Sequence, residues 1–321
     1  MAVYTHLSHE EINKFLEEYK IGHLLNFSEI AEGVENSNFL ITTSIDKYIL
    51  TLYEKRVNPN DLPFFLNLLT HLSSAGLSCP LPVEGIDGNA LRTLGGRPAA
   101  IVTFLEGTWP RHSNTHHCKA LGSAMAMMHE FGQTFKQTRI NALSLPSWRP
   151  LLESCRLPER EIYINLFNEL NQELNWLENN WPKNLPSGII HADLFPDNVF
   201  FNQSDLSGII DFYFACNDFL AYDIAVCINA WCFDENEFFD LEKSCSILTA
   251  YNQTRALCEE EVLSLPVLIR GSAIRFLLTR LYDWLNHPED ALVKPKDPMS
   301  YLKKLRFHQQ ITDASSYGAK V

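Results

Sequence analysis

Apolar and polar positions alternate over short distances in the first third of the chain, and this alternation predicts β-strands. Apolar-rich runs at Phe39 to Thr43 and at Tyr48 to Tyr53 flank the polar segment 44–47, a pattern that predicts a β-hairpin. The run Ala99 to Leu105 predicts a further strand, which ends at Glu106–Gly107. We therefore expect a small sheet in this part of the chain.

Two segments in the same third of the chain carry the periodicity and the end signals of helices. Ser8, with Glu11 three residues later, forms a capping box and predicts a helix over 8–19. Apolar residues at helical spacing predict a second helix over about 58–74, and Gly76 would end it.

After Gly107 the pattern changes to longer stretches with helical periodicity. Helices are predicted at 115–131, 160–180, 223–231, 238–251, 259–269 and 269–286. Between the second and third of these helices, strands are predicted at the short apolar runs 188–190, 199–201 and 208–210. The expected fold class is α+β, with a strand-rich N-terminal lobe, residues 1–106, and a mainly helical C-terminal lobe, residues 107–321.

Composition and charge narrow the class of protein and its partners. Of the 321 residues, 46% are hydrophobic and 20% are charged, which is enough apolar material for a folded core. The formal net charge of -13 disfavours nucleic acid as a partner, because phosphate backbones bind clustered Lys and Arg. The 8 cysteines include no C-x2-C pair, and we expect free thiols in a reducing compartment. No signal peptide or membrane-length apolar run is visible, so a cytoplasmic protein without a membrane partner is expected.

One segment has the residue types that phosphoryl transfer requires. His191 to Asn198 has the spacing H-x-D-x4-N, and a short apolar run that ends at Asp211 follows it. The carboxylate of Asp193 could accept the proton of an attacking hydroxyl. The amide of Asn198 and the carboxylate of Asp211 could supply oxygen ligands to Mg2+ on a triphosphate. The predicted strands on either side would hold this loop in place.

A family resemblance is carried by segments that cover most of the chain, namely 32–39, 50–56, 77–82, 191–198, 210–218, 229–233 and 270–276. They resemble the protein-kinase-like small-molecule phosphotransferases, a group that includes aminoglycoside, choline and methylthioribose kinases. Within that group the chain resembles the homoserine kinases of bacterial threonine biosynthesis. The resemblance implies a two-lobe protein-kinase-like fold with ATP and Mg2+ in the cleft. It also implies transfer of the γ-phosphoryl group to the side-chain hydroxyl of L-homoserine.

The resemblance also implies roles for individual residues. Asp193 would be the catalytic base, His191 would brace the catalytic loop, and Asn198 and Asp211 would be the metal ligands. The loop 33–38 would close over the triphosphate, and the end of the 99–105 strand would meet the adenine. The residues expected to contact the nucleotide are Gly33, Asn36, Ser37, Asn38 and Thr51.

The third strand departs from the pattern of many relatives. Many of them carry a Lys or Arg there that holds the phosphates, whereas this chain has Thr51 at that place. The helix that follows in protein kinases supplies a Glu partner for the lysine, and residues 61–74 contain no Glu. Another basic residue could take over this contact, and the candidates are Lys47, Lys55 and Arg56.

Candidate substrate-binding residues are Arg275, Asp218 and Tyr213. Arg275 lies on an apolar helix and should pair either with an internal carboxylate or with a substrate carboxylate. Asp218 could bind an amino group or could be a solvated loop residue. At Asp223, a helix N-cap and a buried support for the catalytic loop both remain open.

Alternative functions remain open at this level. The segment 212–233 contains both aromatic and acidic residues, so a choline, ethanolamine or aminoglycoside kinase is an alternative. The absence of the third-strand lysine suggests a catalytically inactive binding module, but the intact set Asp193, Asn198 and Asp211 argues against it. The sequence leaves the oligomeric state open.

Overall fold

The computed structural model of the chain describes residues 5–30, 36–54, 58–156, 161–287 and 295–319, except for the side chains of 161–163. A five-stranded antiparallel sheet with strand order β1-β2-β3-β5-β4 forms its N-terminal part. The strands are β1 Leu24–Ile30, β2 Ser37–Thr43, β3 Lys47–Leu52, β4 Arg92–Leu94 and β5 Arg97–Thr103. The predicted hairpin is therefore confirmed as β2 and β3, while β1 and β4 were not predicted.

One face of the sheet is covered by the first helix, α1 His9–Leu16. Side chains alternate along β2, so that Phe39 and Ile41 are fully buried in a cluster that also contains Ile12 of α1. The capping box is confirmed, since the Glu11 amide donates to Ser8 Oγ at 3.2 Å and the Ser8 amide donates to Glu11 Oε2 at 2.8 Å. The helix ends earlier than the sequence predicts.

The second helix, α2 Leu62–Ser74, joins the N-terminal part to the rest of the molecule. Its apolar side chains, including Phe65 and Leu72, belong to the same buried cluster as residues of the C-terminal helices. Gly76 follows the helix with a φ of 104°, a conformation that L-residues other than glycine rarely adopt. A continuous core therefore runs from beneath the sheet into the helical part.

The rest of the chain is mainly helical. Its helices are α3 Thr115–Gly132, α4 Leu145–Ser154, α5 Glu161–Asn180, α6 Leu220–Trp231, α7 Leu241–Thr254, α8 Glu259–Leu285 and α9 Met299–His308. Two small antiparallel sheets lie between α5 and α6 in sequence: β6 Ser187–Ile190 pairs with β9 Cys216–Phe219, and β7 Val199–Asn202 pairs with β8 Asp205–Ile209. The predicted α+β class is confirmed.

The helix α8 differs from the prediction of two separate helices at 259–269 and 269–286. It is one helix of 27 residues with Pro266 inside it. By length and composition this helix could span a membrane, contrary to the expectation that no apolar run reaches that length. However, 78% of its most apolar 18-residue stretch is buried inside the protein. Because α4, α6 and α9 pack around α8, we assign it to the core.

Candidate active site

The catalytic loop, residues 191–198, begins where β6 ends and is held from below by Asp223. The carboxylate of Asp223 accepts hydrogen bonds from the backbone amides of His191 and Ala192, each at 2.7 Å. Asp223 is fully buried in the first turn of α6, whereas the N-cap position of this helix is Phe219. The N-cap interpretation of Asp223 is therefore wrong, and the structure shows the support of the loop.

His191 connects the catalytic loop to the end of β8. Its Nε2 donates to the carbonyl oxygen of Ile210 at 2.9 Å, and its Nδ1 accepts from the Asp193 amide at 3.3 Å. Burial lowers the pKa of His191, so the ring is neutral and both nitrogens are used in holding the loop. The geometry gives His191 a bracing position.

Asp193 lies at the tip of the loop between an amide and a guanidinium. Nδ2 of Asn198 donates to the Asp193 carbonyl oxygen at 2.8 Å and to Oδ2 at 3.2 Å. Nη1 of Arg275 is 3.7 Å from Asp193 Oδ1, which is too long for a hydrogen bond. Burial raises the pKa of Asp193, and the positive charge of Arg275 partly opposes this shift. A carboxylate with this environment is suited to accept a proton.

Asp211 follows β8 directly and has an unusual backbone conformation. Its φ is 64° and its ψ is 58°, in the left-handed region that aspartate tolerates better than most residues. The Ile210 amide donates to the backbone oxygen of Asn198 at 3.0 Å, which ties the two candidate ligand segments together. Asp193, Asn198 and Asp211 all line the same cavity.

The cavity has a volume of about 940 Å3 and lies between the sheet and the catalytic loop. The sheet and the segment after it contribute an apolar part of the lining, which includes Leu40, Ile49, Val102, Phe104 and Leu105. An apolar surface of this kind fits a nucleobase, and carboxylate and amide oxygens are the donors that Mg2+ prefers. Both bonds of the Asn198 amide nitrogen go to Asp193, so its amide oxygen is the atom available to a cation. The residues present therefore fit a nucleotide with its metal ion.

The residues expected to contact the nucleotide do not all face the cavity. Asn36, Asn38 and Thr51 line it, and Thr51 Oγ1 donates to Asn38 Oδ1 at 2.8 Å across β2 and β3. Ser37 is not among the lining residues; it is buried, and its hydroxyl donates to Glu54 Oε1 at 2.8 Å. Gly33 lies outside the described residues.

Of the three basic residues considered as substitutes for a third-strand lysine, one is described by the structure. Lys47 lies at the start of β3, where its Nζ is 3.7 Å from Glu106 Oε1 and 5.4 Å from the ring centre of Phe104. Lys55 and Arg56 lie outside the described residues.

The candidate substrate residues occupy different environments. Tyr213 lines the cavity, its hydroxyl is 3.1 Å from that of Tyr53, and burial raises the pKa of Tyr213 to about 12. Arg275 lies beside Asp193. Asp218 is not among the lining residues, because it accepts from Asn141 Nδ2 at 2.7 Å and from the Phe219 amide at 2.8 Å. The structure thus brings Tyr213 and Arg275 to the site and holds Asp218 within β9.

A buried hydrogen-bond chain that supports the loop was missed from the sequence. Nε2 of His129 on α3 is 3.1 Å from Asp223 Oδ2, and its Nδ1 is 2.7 Å from the hydroxyl of Tyr251 on α7. Because the Asp223 carboxylate accepts, Nε2 carries the proton and Nδ1 accepts from Tyr251. The position of His129 among apolar residues at helical spacing is the one signal in the sequence that could have indicated a buried partner.

Comparison with known protein sequences gives long and close matches. The model of the phosphotransferase enzyme family matches residues 26–257. A homoserine kinase of Sinorhizobium fredii is 55% identical over 320 residues, which cover 100% of this chain and 98% of that protein. A homoserine kinase of Bradyrhizobium diazoefficiens is 56% identical over 319 residues, which cover 99% of this chain and 98% of that protein.

Solved structures share the fold at much lower identity. The amicoumacin kinase hAmiN, in complex with AMP-PNP, Ca2+ and Ami, has a TM-score of 0.70 at 15% identity, over 95% of this chain and 93% of that one. A choline kinase from Cryptosporidium parvum has a TM-score of 0.69 at 14% identity, over 94% of this chain and 95% of that one. Both structural similarities confirm the two-lobe kinase-like fold.

Proposed function

Since this chain belongs to the phosphotransferase enzyme family and, within it, to the homoserine kinases, we propose that the residues around Asp193 transfer the γ-phosphoryl group of ATP to the side-chain hydroxyl of L-homoserine. The chain is an ATP-dependent kinase of a small alcohol. The observation that carries the assignment of residues is the convergence of Asp193, Asn198 and Asp211 on a single cavity. A place in threonine biosynthesis and a cytoplasmic location are part of the proposal.

Asp193 orients the acceptor hydroxyl and takes its proton as the new P–O bond forms. Its raised pKa brings its basicity closer to neutral pH than that of an ordinary aspartate. The hydrogen bonds from Asn198 to the Asp193 carbonyl and carboxylate fix the direction of this side chain. Little covalent chemistry is asked of the protein, so most of the rate comes from this positioning and from charge stabilisation.

The amide oxygen of Asn198 and the carboxylate of Asp211 hold Mg2+ in the proposal. When bound, the metal neutralises the charge that builds on the phosphate oxygens. Asp211 has a left-handed backbone conformation directly after β8, and it lines the cavity. The apolar part of the lining, near Phe104 and Leu105, would take the adenine.

The two lobes meet at Glu106–Gly107 in this proposal. Gly107 has a φ of 125°, and a Cβ there would lie 2.8 Å from the backbone oxygen of Phe201. The Thr108 amide donates to the same oxygen at 3.0 Å, so the connecting strand is attached to β7 of the C-terminal part. This close approach requires glycine and attaches the segment that connects the lobes to the strand that follows the catalytic loop.

Arg275 is the proposed partner of the substrate carboxylate. It is 3% exposed, and its Nη1 is a buried atom without a hydrogen-bond partner among the described residues. A guanidinium can bind a carboxylate through parallel hydrogen bonds. The guanidinium of Arg275 lies beside Asp193, the proposed base that receives the hydroxyl proton. An acceptor without a carboxylate would leave Nη1 of this buried cation without a hydrogen-bond acceptor among the described residues.

A panel of acceptors tests the proposed function. The purified enzyme, assayed for ADP release with Mg2+ and ATP, should use L-homoserine with a kcat/KM at least about 100-fold above that for L-serine, since serine is one methylene too short to reach Asp193. Choline should be rejected as strongly, because it lacks the carboxylate.

The variant Asp193→Asn should keep ATP binding, and its kcat should fall by at least about 100-fold. Turnover with choline or kanamycin, and none with homoserine, would overturn the substrate while leaving a kinase.

A further inference from the structure

Side chains around the start of β2 alternate between the cavity and the opposite face of the sheet. Asn36, Asn38 and Leu40 line the cavity. Ser37 and Phe39 are fully buried and are not among the lining residues, and Phe39 packs in the cluster that also contains residues of α1. Successive side chains of a strand point to opposite faces, so Ser37 lies behind the two asparagines as seen from the cavity.

A buried carboxylate holds Ser37 on that opposite face. Glu54 is 7% exposed and lies two residues after the end of β3. Its Oε1 accepts from the hydroxyl of Ser37 at 2.8 Å and from the hydroxyl of Thr5 at 2.7 Å, and its Oε2 is 3.2 Å from Nε of Arg97 on β5. A buried charge needs such partners, and here they join the start of β2 to β5 and to the N-terminal segment.

The backbone of Glu54 contacts one of the two asparagines. Its amide donates to Oδ1 of Asn36 at 3.3 Å, and Thr51 Oγ1 donates to Oδ1 of Asn38 at 2.8 Å. Because the oxygen of each asparagine amide already accepts from the protein, the nitrogen is the atom that can donate to a ligand. The start of β2 therefore offers two neutral donors to the cavity, beside the position where Thr51 stands in place of a basic residue.

Among the residues that the structure describes, no strand of the sheet supplies a cation to the cavity. The basic residues that line the cavity are Arg111, Arg280 and Lys296, and all three follow the sheet in sequence. An amide binds phosphate through a directed hydrogen bond, whereas a lysine binds it as a point charge, so the position of an amide matters more. Phosphate oxygens next to the sheet would then depend on how firmly the two asparagines are held.

We propose that Glu54 and Ser37 are a positioning pair for the nucleotide. The hydrogen bond from Ser37 to Glu54 holds the start of β2 from the face away from the cavity, and the amides of Asn36 and Asn38 consequently stay in place to donate to the phosphates of ATP. Thr5 extends this support to the N-terminal segment, because its hydroxyl shares Glu54 Oε1 and its amide donates to Ser37 Oγ at 3.2 Å. The inference rests on the proposed function, since it takes ATP as the ligand of the cavity.

Glu54→Gln tests this positioning role, because it keeps the size of the side chain and removes the charge that binds three donors. The KM for ATP, and the Kd of a non-hydrolysable ATP analogue with Mg2+, should rise by about 3- to 10-fold, the change that corresponds to one hydrogen bond. The kcat at saturating ATP and the KM for L-homoserine should change little. A role in folding alone would lower kcat through the loss of active enzyme and leave the KM for ATP and the Kd unchanged, and that result would overturn the proposal.

Two further variants keep the test decisive if Glu54→Gln does not fold. Ser37→Ala removes the donor on β2 and should raise the KM for ATP to a similar extent. Thr5→Val keeps the size of the side chain, removes its hydroxyl, and should act in the same direction with a smaller effect. A folded Ser37→Ala variant with the KM for ATP and the Kd of wild type would overturn the positioning pair.

Glu29→Gln is the matched control. Glu29 also binds the N-terminal segment, since its Oε1 is 2.9 Å from Nδ1 of His6, but it does so from β1. Glu29→Gln should leave both KM values and the Kd as in wild type, and a rise equal to that of Glu54→Gln would overturn the proposal. Binding of the ATP analogue needs no acceptor, so a wild type that binds it and does not phosphorylate L-homoserine would overturn the proposed acceptor and leave the positioning pair in place.

Discussion

Two residues of the active site, Ala192 and Asp211, have left-handed backbone conformations, with φ of 63° and 64°. Each such residue costs about 1–2 kcal/mol unless the surroundings hold it. The Ala192 amide is held by Asp223, and the segment before Asp211 is held by the bonds of Ile210 to His191 and Asn198. These bonds therefore offset the cost of the two backbone conformations next to Asp193, the proposed base, and at Asp211, the proposed metal ligand.

The dependence of activity on Mg2+ should separate the two proposed ligands. In Asp211→Ala, the apparent affinity for Mg2+ should fall by at least about 10-fold, and turnover should be lost at the Mg2+ concentration that saturates wild type, because a charged ligand is lost. Asn198→Ala should weaken Mg2+ binding less, because the amide of Asn198 carries no net charge. Titration of Mg2+ at fixed ATP measures both effects. Asp205→Ala, at the other end of β8, is the matched control, and an unchanged Mg2+ affinity in Asp211→Ala would remove that assignment.

At the scale of elements, three helices meet beneath the catalytic loop. His129 on α3, Asp223 on α6 and Tyr251 on α7 form a continuous buried chain of hydrogen bonds that ends at the loop amides. Fully satisfied buried networks of this kind specify one arrangement of the elements that they join. The position of the loop therefore depends on how these helices pack, not on the loop sequence alone.

Tyr251→Phe should show this dependence. It removes the hydroxyl that lies 2.7 Å from Nδ1 of His129 and that also accepts from Arg255 at 3.1 Å, and it should lower the free energy of unfolding by about 1–3 kcal/mol. It should also lower kcat, because His129 contacts Asp223, and the Asp223 carboxylate holds the amides of the catalytic loop. Tyr317→Phe breaks a similar bond to His308 at 2.9 Å, away from the loop, and should cost comparable stability without a change in kcat. Urea unfolding measures the stability of the two variants, and kcat at saturating substrates distinguishes them. Equal kcat in Tyr251→Phe and Tyr317→Phe would contradict a link between Tyr251 and the catalytic loop.

At the scale of the whole molecule, stability should depend on a buried histidine far from the chemistry. Burial, assisted by the charges of Lys304 and Arg270, lowers the pKa of His308 from 6.5 to about 3. As the pH falls below 6.5, the unfolded chain gains a proton that the folded chain does not. The free energy of unfolding should then decrease with falling pH, by up to about 1.4 kcal/mol per pH unit from this residue.

His308→Gln removes that titration and should flatten the pH dependence between pH 6.5 and pH 5. Urea unfolding at a series of pH values measures the slope directly, whatever the stability of the variant at pH 7. His112→Gln is the control, because His112 is 78% exposed and its removal should leave the slope as in wild type. A slope in His308→Gln equal to that of wild type would contradict the prediction.

Elements with strong local signals were predictable from the sequence. The hairpin of β2 and β3, the helices α3 and α5, and the capping box of Ser8 and Glu11 follow from periodicity and end signals within one segment. The spacing of Asp193, Asn198 and Asp211 likewise predicted phosphoryl transfer. The match to the phosphotransferase family confirms that class of reaction, and the roles of the three residues stay predictions.

Elements whose stability comes from neighbours were not predictable in this way. The strands β1, β4 and β9 depend on pairing with distant segments. The helix α8 continues through Pro266 because buried packing on several sides outweighs the local cost of proline.

The choice of hydrogen-bond partners also depends on long-range packing. The hydrogen bond between Asp218 and Asn141 and the support of the loop by His129 depend on groups far apart in sequence. The sequence alone determined which chemical groups are present and in what local order, since spacing and periodicity are local properties. Only the tertiary structure decided which groups have partners, because long-range packing sets those distances.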